Sequence, residues 1–212
     1  MKRSPGKRAG IGRDDVIATA LAILRREGLD AVSMRRVATE LGVAPNALYS
    51  HVPDKSALVD ALLDAVLVDV AVPTRGGWRR RLVGILTDTR RILLAHPDLV
   101  PLFLARQTVG TNAMRLGEAM LDALDDGGIR AEPAVHAMQV LLIHTIGAAA
   151  FEIPRRDDPD PLARQRRGQA AAEALETTHP RTHANAEPLS RPPGDTAFRL
   201  GLEWLLDGMS AP

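Results

Sequence analysis

The side chains best suited to chemistry on a partner are concentrated in residues 33–52, SMRRVATELGVAPNALYSHV. Arg35 and Arg36 each carry a planar fork, one of which can reach guanine O6 and N7, and Asn46 carries an amide that matches adenine or a phosphate. Tyr49 and Ser50 hold hydroxyls that can donate to phosphates, and His51 holds a ring that can donate or accept. Ala47 is small enough to approach a thymine methyl. Arg36 sits beside Arg35 at the start of a helix. Ser33 and the N–H groups that follow it suit a phosphate, as does Lys55 beyond the next turn.

These groups act together only if two short helices hold them at a steep angle. Such a crossing needs a small residue at the contact, a turn that can go left-handed, and shared apolar contacts. Ala38, Gly42 and the set Val37, Leu41, Val43 and Leu48 supply them, which is the packing logic of a helix-turn-helix. An αα-hairpin with no nucleic-acid role would satisfy Ala38-x3-Gly42 alone. Around this pair, the periodicity predicts a first helix over 13–27, with Ile17, Ala20, Leu21 and Leu24 on its buried face and Gly28 ending it. A second helix follows Ser33 and stops at Gly42, and a third starts at Pro45 and runs to about His51. Pro53-Asp54 then opens a fourth.

Further helices are expected over 78–95, 112–126, 133–151 and 195–207, with a short apolar piece at 97–107. The stretch 155–194 is proline-rich and charged and is expected to be a mobile loop, with an exposed helix at 162–175. Ala and Leu recur while aromatics make up only 3% of the chain, so the expected fold class is all-α. The organisation expected is a basic arm at 1–12, a three-helix head at 13–56 and a larger helical domain at 57–212.

Composition narrows the chemistry. There is no Cys, which excludes disulfides, thiolate metal sites and Cys nucleophiles. Residues 1–55 hold ten Lys/Arg against six Asp/Glu, whereas the remainder holds 17 against 20. A basic end on a near-neutral chain points to a polyanionic partner. The first residues lack the apolar stretch of a signal peptide, and 133–151 reads as a buried helix rather than a membrane span, so a cytoplasmic location is expected. Two rival classes remain. A metal-dependent enzyme could use His179, His183 and Glu187 at four-residue spacing, but Pro180 and Pro188 oppose a single regular helix there. A helical adaptor without a DNA role is the other. No catalytic group, metal site or cofactor is expected.

The stretch Arg13–Ala61 resembles the N-terminal domain of the tetracycline-repressor (TetR) family of transcription regulators. Gly28, the SMRRVATELGV run, the ALYSHVPDKSALV run and their spacing carry the likeness. Trp78-Arg79, His96-Pro97 and FRLGLEWLLDG resemble the ligand-binding domain of the tetracycline-repressor branch. The resemblance implies a ligand-responsive regulator, most simply a repressor, that leaves an inverted-repeat operator in double-stranded DNA when a small-molecule inducer binds. It places Arg35, Asn46, Ala47, Tyr49, Ser50, His51 and Lys55 at DNA-facing positions, and Ser33, Arg36 and Pro45 complete the set of candidate DNA-binding residues. Pro45 stands where that branch has a base-reading polar residue, and Ser50 where it has a large aromatic.

The resemblance also implies a homodimer through about 133–151 and 195–207. The chain agrees independently, because a helix apolar almost all round needs partners on every side. Arg90, His96, Phe103, Arg106, Gln107, Met114, Met138, Gln139, His144 and Phe151 are the candidate ligand-pocket residues the resemblance implies. Around Phe103 the metal-binding His of the tetracycline-repressor branch is absent, which argues against a magnesium–tetracycline ligand.

Overall fold

The computed structural model describes residues 11–106, 108–156, 159–173, 178–190 and 193–209, and no strand occurs among them. The basic arm cations Lys2, Arg3, Lys7 and Arg8 lie outside the described residues, as does Gln107. The chain divides into two compact units, Met1–Asp69 with Pro101–Leu116, and Val70–Val100 with Gly117–Pro212.

In the first unit, α1 spans Arg13–Glu27, α2 Met34–Leu41 and α3 Lys55–Val66. Val16, Ala20, Ile23 and Leu24 form the buried stripe of α1, whereas Ile17 and Leu21 are only half-buried. Ser33 accepts a hydrogen bond from Arg36 N at 3.1 Å and so starts α2. Gly42 ends it in the left-handed region at φ 69°, and the N–H groups of Gly42 and Val43 fold back to the carbonyls of Thr39 and Ala38. Val37, Ala38, Leu48 and Leu58 are all fully buried, and α1 packs against both α2 and α3. Burial of each of the Val37, Leu48 and Leu58 side chains contributes about 1.5–3 kcal/mol of transfer free energy.

The expected third helix is tighter and shorter. A 3-10 turn covers Pro45–Ala47 and hydrogen-bonded turns continue to His51. Only seven residues separate Pro45 from Pro53, and Pro53 disfavours helical geometry at Val52, so an α-helix cannot propagate. Asp54 then accepts from Ala57 N at 2.8 Å and opens α3.

Residues 101–116 belong to the same unit. They contain most of α5, Val100–Ala105, and the start of α6, Thr111–Asp126. One face of α3 holds them. Arg106 donates to Ser56 Oγ at 2.9 Å and Asp60 Oδ1 at 2.6 Å, and Asp64 accepts from Ala113 N at 2.8 Å. A side chain at Gly110 would collide with the Asp64 carboxylate, so only glycine permits that approach.

The second unit is built on α4, Trp78–Ala95, α7, Ala131–Arg156, and α11, Asp195–Met209. Leu82, Ile85, Leu86 and Leu93 of α4 are buried, together with Leu141 and Ala149 of α7 and Phe198, Leu202 and Leu206 of α11. Thr89 and Thr145 are buried hydroxyls satisfied by the carbonyls four residues earlier. Helix α7 is longer than the expected 133–151 and is long and apolar enough to cross a membrane by length and composition. Within the single chain one stripe of it is exposed: Val140 is 42%, Ile143 71% and Phe151 61% accessible.

Within 155–194, the helix expected at 162–175 is present as α8, Pro161–Glu173, and two short helices, α9 Pro180–Ala184 and α10 Ala186–Ser190, stand where only a loop was expected. Pro180 and Pro188 both fall in first turns, where the missing N–H has no helical partner. His179 precedes α9, His183 lies within it and Glu187 lies on α10, so the three do not share one helix.

Candidate nucleic-acid interface and ligand cavity

The head presents its polar groups around the buried anchors Leu48 and Val52. Pro45, Asn46, Ala47, Tyr49 and Ser50 are exposed, His51 is half-buried, and Lys55 is exposed in the first turn of α3. Arg35 is exposed, and neither it nor Asn46 has a side-chain partner among the described residues. Ser50 donates its hydroxyl to the Ala47 carbonyl at 3.0 Å, and Thr39 donates to the Arg35 carbonyl at 2.9 Å. Ser33 uses its oxygen as the cap of α2, which leaves its hydroxyl hydrogen for an external acceptor.

Arg36 is differently placed from its neighbour. Its guanidinium meets Glu27 of α1 at 3.0 Å and Glu40 of α2 at 3.4 Å, and Arg26 joins the same two carboxylates. Hydrogen bonds from Arg26 and then Arg36 hold the Glu27 carboxyl below its ordinary range, against the opposing effect of desolvation. The Arg36 side chain thus ties α2 to α1. Glu27 and Glu40 were not singled out from sequence. The signal was available, since Arg36 and Glu40 stand four apart on one helix.

The ligand-pocket candidates divide between the two units. Phe103 is half-buried, Arg106 is engaged with Asp60 and Ser56, and Met114 is 67% exposed, all within the first unit. Arg90, His96, Met138, Gln139, His144 and Phe151 belong to the second. His96 is the half-buried end of α4, Met138 is half-buried with its sulfur 3.9 Å from where a side chain at Gly117 would sit, and Gln139 is exposed.

A cavity of about 320 Å³ lies between α7 and α11. His144 and Phe151 line it, together with Ile143, Glu152, Ala197 and Phe198, which the sequence reading did not place there. His144 stacks on Phe198 with ring centroids 5.3 Å apart and planes 3° apart. Its Nε2 lies 3.0 Å from the Phe198 carbonyl, which can only accept, so this nitrogen carries the proton. The ring fits because residue 201 is glycine; a side chain there would occupy its place. Arg90 is 6% exposed, pairs with Glu152, lies 3.4 Å from Asp195 and sits 4.9 Å over the Phe198 ring. A buried guanidinium needs such partners, because an unpaired buried charge is strongly destabilising. The Arg90 Nε has no acceptor among the described residues. Glu152 follows directly on the uncharged run 133–151, and that isolated acid was the signal that could have found it.

Several known proteins are similar to this chain in sequence and architecture. Residues 16–62 match the family described as bacterial regulatory proteins, tetR family, and residues 72–212 match the tetracyclin repressor-like C-terminal domain. The tetracycline repressor protein class A from transposon 1721 of Escherichia coli is 33% identical over 199 residues, which covers 92% of this chain and 88% of that protein. The TetR family protein ActR of Streptomyces coelicolor, solved in complex with actinorhodin, superposes with a TM-score of 0.86 at 32% identity, over 95% of this chain and 96% of the other. BioQ, solved with its double-stranded DNA operator, superposes with a TM-score of 0.65 at 25% identity, over 95% and 99% of the two chains.

Proposed function

This chain belongs to the tetR family of bacterial regulatory proteins, and from that membership we propose that it acts as a ligand-responsive repressor whose head grips operator DNA and whose helical body admits a small organic effector. The single observation that carries the DNA reading is the exposed pair Arg35 and Asn46, whose side chains have no partner among the described residues and which lie near the fully buried Ala38 and Leu48 in sequence. Arg35 forks onto guanine and Asn46 onto adenine in the major groove. Tyr49, His51, Lys55 and the Ser33 hydroxyl take phosphates and fix the register, whereas the Ser50 hydroxyl is taken by the Ala47 carbonyl. Pro45 and Ala47 complete the contact surface. The regulator meets chromosomal DNA in the cytoplasm and performs no catalysis of its own.

The working form is a homodimer. Val140, Ile143 and Phe151 on α7, with Leu200 and Trp204 on α11, make an apolar surface that a second copy covers. Ile143 and Phe151 also rim the cavity, so the partner closes it around the effector. Its lining favours an aromatic, largely apolar molecule with a group that can meet Glu152 or the Arg90 charge behind it. Effector binding shifts the population toward dimers whose two heads no longer match successive major grooves, which lie about 34 Å apart.

Fluorescence anisotropy with duplexes covering the DNA upstream of the coding region tests this reading. The expected result is tight binding to an inverted repeat that weakens steeply with salt. Indifference to every such duplex at low ionic strength would overturn it.

A further inference from the structure

The exposed edge of the recognition segment is short of hydrogen-bonding groups. Asn46 stands between two hydrocarbon side chains, the Pro45 ring and the Ala47 methyl, all three exposed. The Ser50 hydroxyl is turned back onto the Ala47 carbonyl. Arg36, which would have doubled the guanine-reading capacity of α2, is held by Glu27 and Glu40. Among the described residues of 33–52, Arg35 and Asn46 are therefore the two forked donors left for base edges.

A surface of this kind has one efficient way to extend its reading. In the major groove thymine differs from every other base by an apolar C5-methyl group, and apolar side chains recognise it by burying it. We propose that the operator is read largely through thymine methyls packed against Pro45 and Ala47, beside one hydrogen-bonded guanine and one hydrogen-bonded adenine in each half-site. The proposal rests on the DNA-binding reading above and states what that site recognises. It also assigns Arg36 a structural place, tying α2 to α1, rather than a base contact.

Burial of one methyl group corresponds to about a fourfold change in affinity, and the same loss in both half-sites to about fifteenfold. The experiment starts from a duplex selected by the full-length protein out of a randomised pool. Each thymine is then replaced by deoxyuridine, which deletes the methyl and leaves every hydrogen-bonding group in place.

The expected result is one or two thymines per half-site at which uracil weakens binding about fourfold. At those positions Ala47→Gly or Pro45→Ala should abolish the thymine–uracil difference. The preference for guanine at the Arg35 position should persist in both variants, which shows that the head is still folded, and it should persist in Arg36→Ala as well. Uracil tolerated at every thymine would overturn the proposal. So would a uracil effect that survives unchanged in both variants, or an Arg36→Ala protein that loses a guanine preference. Failure to select any duplex would sink the DNA-binding reading itself, and this inference with it.

Discussion

Arg35 and Arg36 are adjacent, identical in chemistry, and separated in role by what surrounds them. Arg35 has no partner among the described residues, whereas Arg36 is spanned by two carboxylates. Arg35→Ala should therefore cost about 1–3 kcal/mol of operator affinity with selective loss at one guanine, read by anisotropy on matched and mismatched duplexes. Lys55→Ala should act differently, weakening all sequences alike and lowering the salt slope by about one. Glu27 gives a pH prediction. Its carboxyl is held below its ordinary range, so its stabilising contribution is present above the unfolded-state pKa and is lost as pH falls through the folded one. Thermal melts of wild type and Glu27→Gln should differ at neutral pH and converge in acid. A constant gap at all pH values would show that charge on Glu27 is not what matters.

At the scale of elements, α3 acts as a spine for residues 101–116. Ser56, Asp60 and Asp64 recur at four-residue intervals and meet Arg106 and the first turn of α6. Asp64 caps a helix that is not its own, with its carboxylate at the positive end of the α6 dipole. Asp64→Ala should cost about 0.5–2 kcal/mol, the usual magnitude for a lost cap. Chemical denaturation measures this, and hydrogen exchange should show faster opening at Asn112 and Ala113. An unchanged exchange rate there would mean that the backbone around Gly110 holds α6 without the carboxylate.

At the scale of the molecule, the apolar stripe on α7 and α11 is the feature that a lone chain leaves unexplained. Leu200 and Trp204 are 41% and 70% exposed while Phe198, Leu202 and Leu206 on the same helix are buried. Leu200→Glu with Trp204→Glu should leave the fold of one chain intact and convert the dimer to monomer in sedimentation. Operator affinity should fall with it, because a single head reads only half of the inverted repeat. A variant that remains dimeric would place the interface elsewhere.

Much of the head was legible from sequence because its determinants are local. Ser33, Gly42, Pro45, Pro53 and Asp54 set helix starts, stops and turns through their own backbone preferences, and the structure uses each at that position. The exposure of Arg35, Pro45, Asn46, Ala47, Tyr49, Ser50 and Lys55 agrees with the polar surface expected of the same segment. The spacing of Arg36 and Glu40 hinted which of two arginines would be engaged, but local preference could not show that Glu27, nine residues earlier, completes the tie to α1. Nor could it show that Asp64 caps α6, that His144 stacks on Phe198, or that Glu152 meets Arg90, pairs separated by 48 to 62 residues. Periodicity tells which face of a helix is apolar, but only packing in three dimensions tells whether its own chain covers that face. Helix α7 is the clearest case. Its composition fixes that it is apolar nearly all round, and the tertiary structure alone leaves one stripe of it bare.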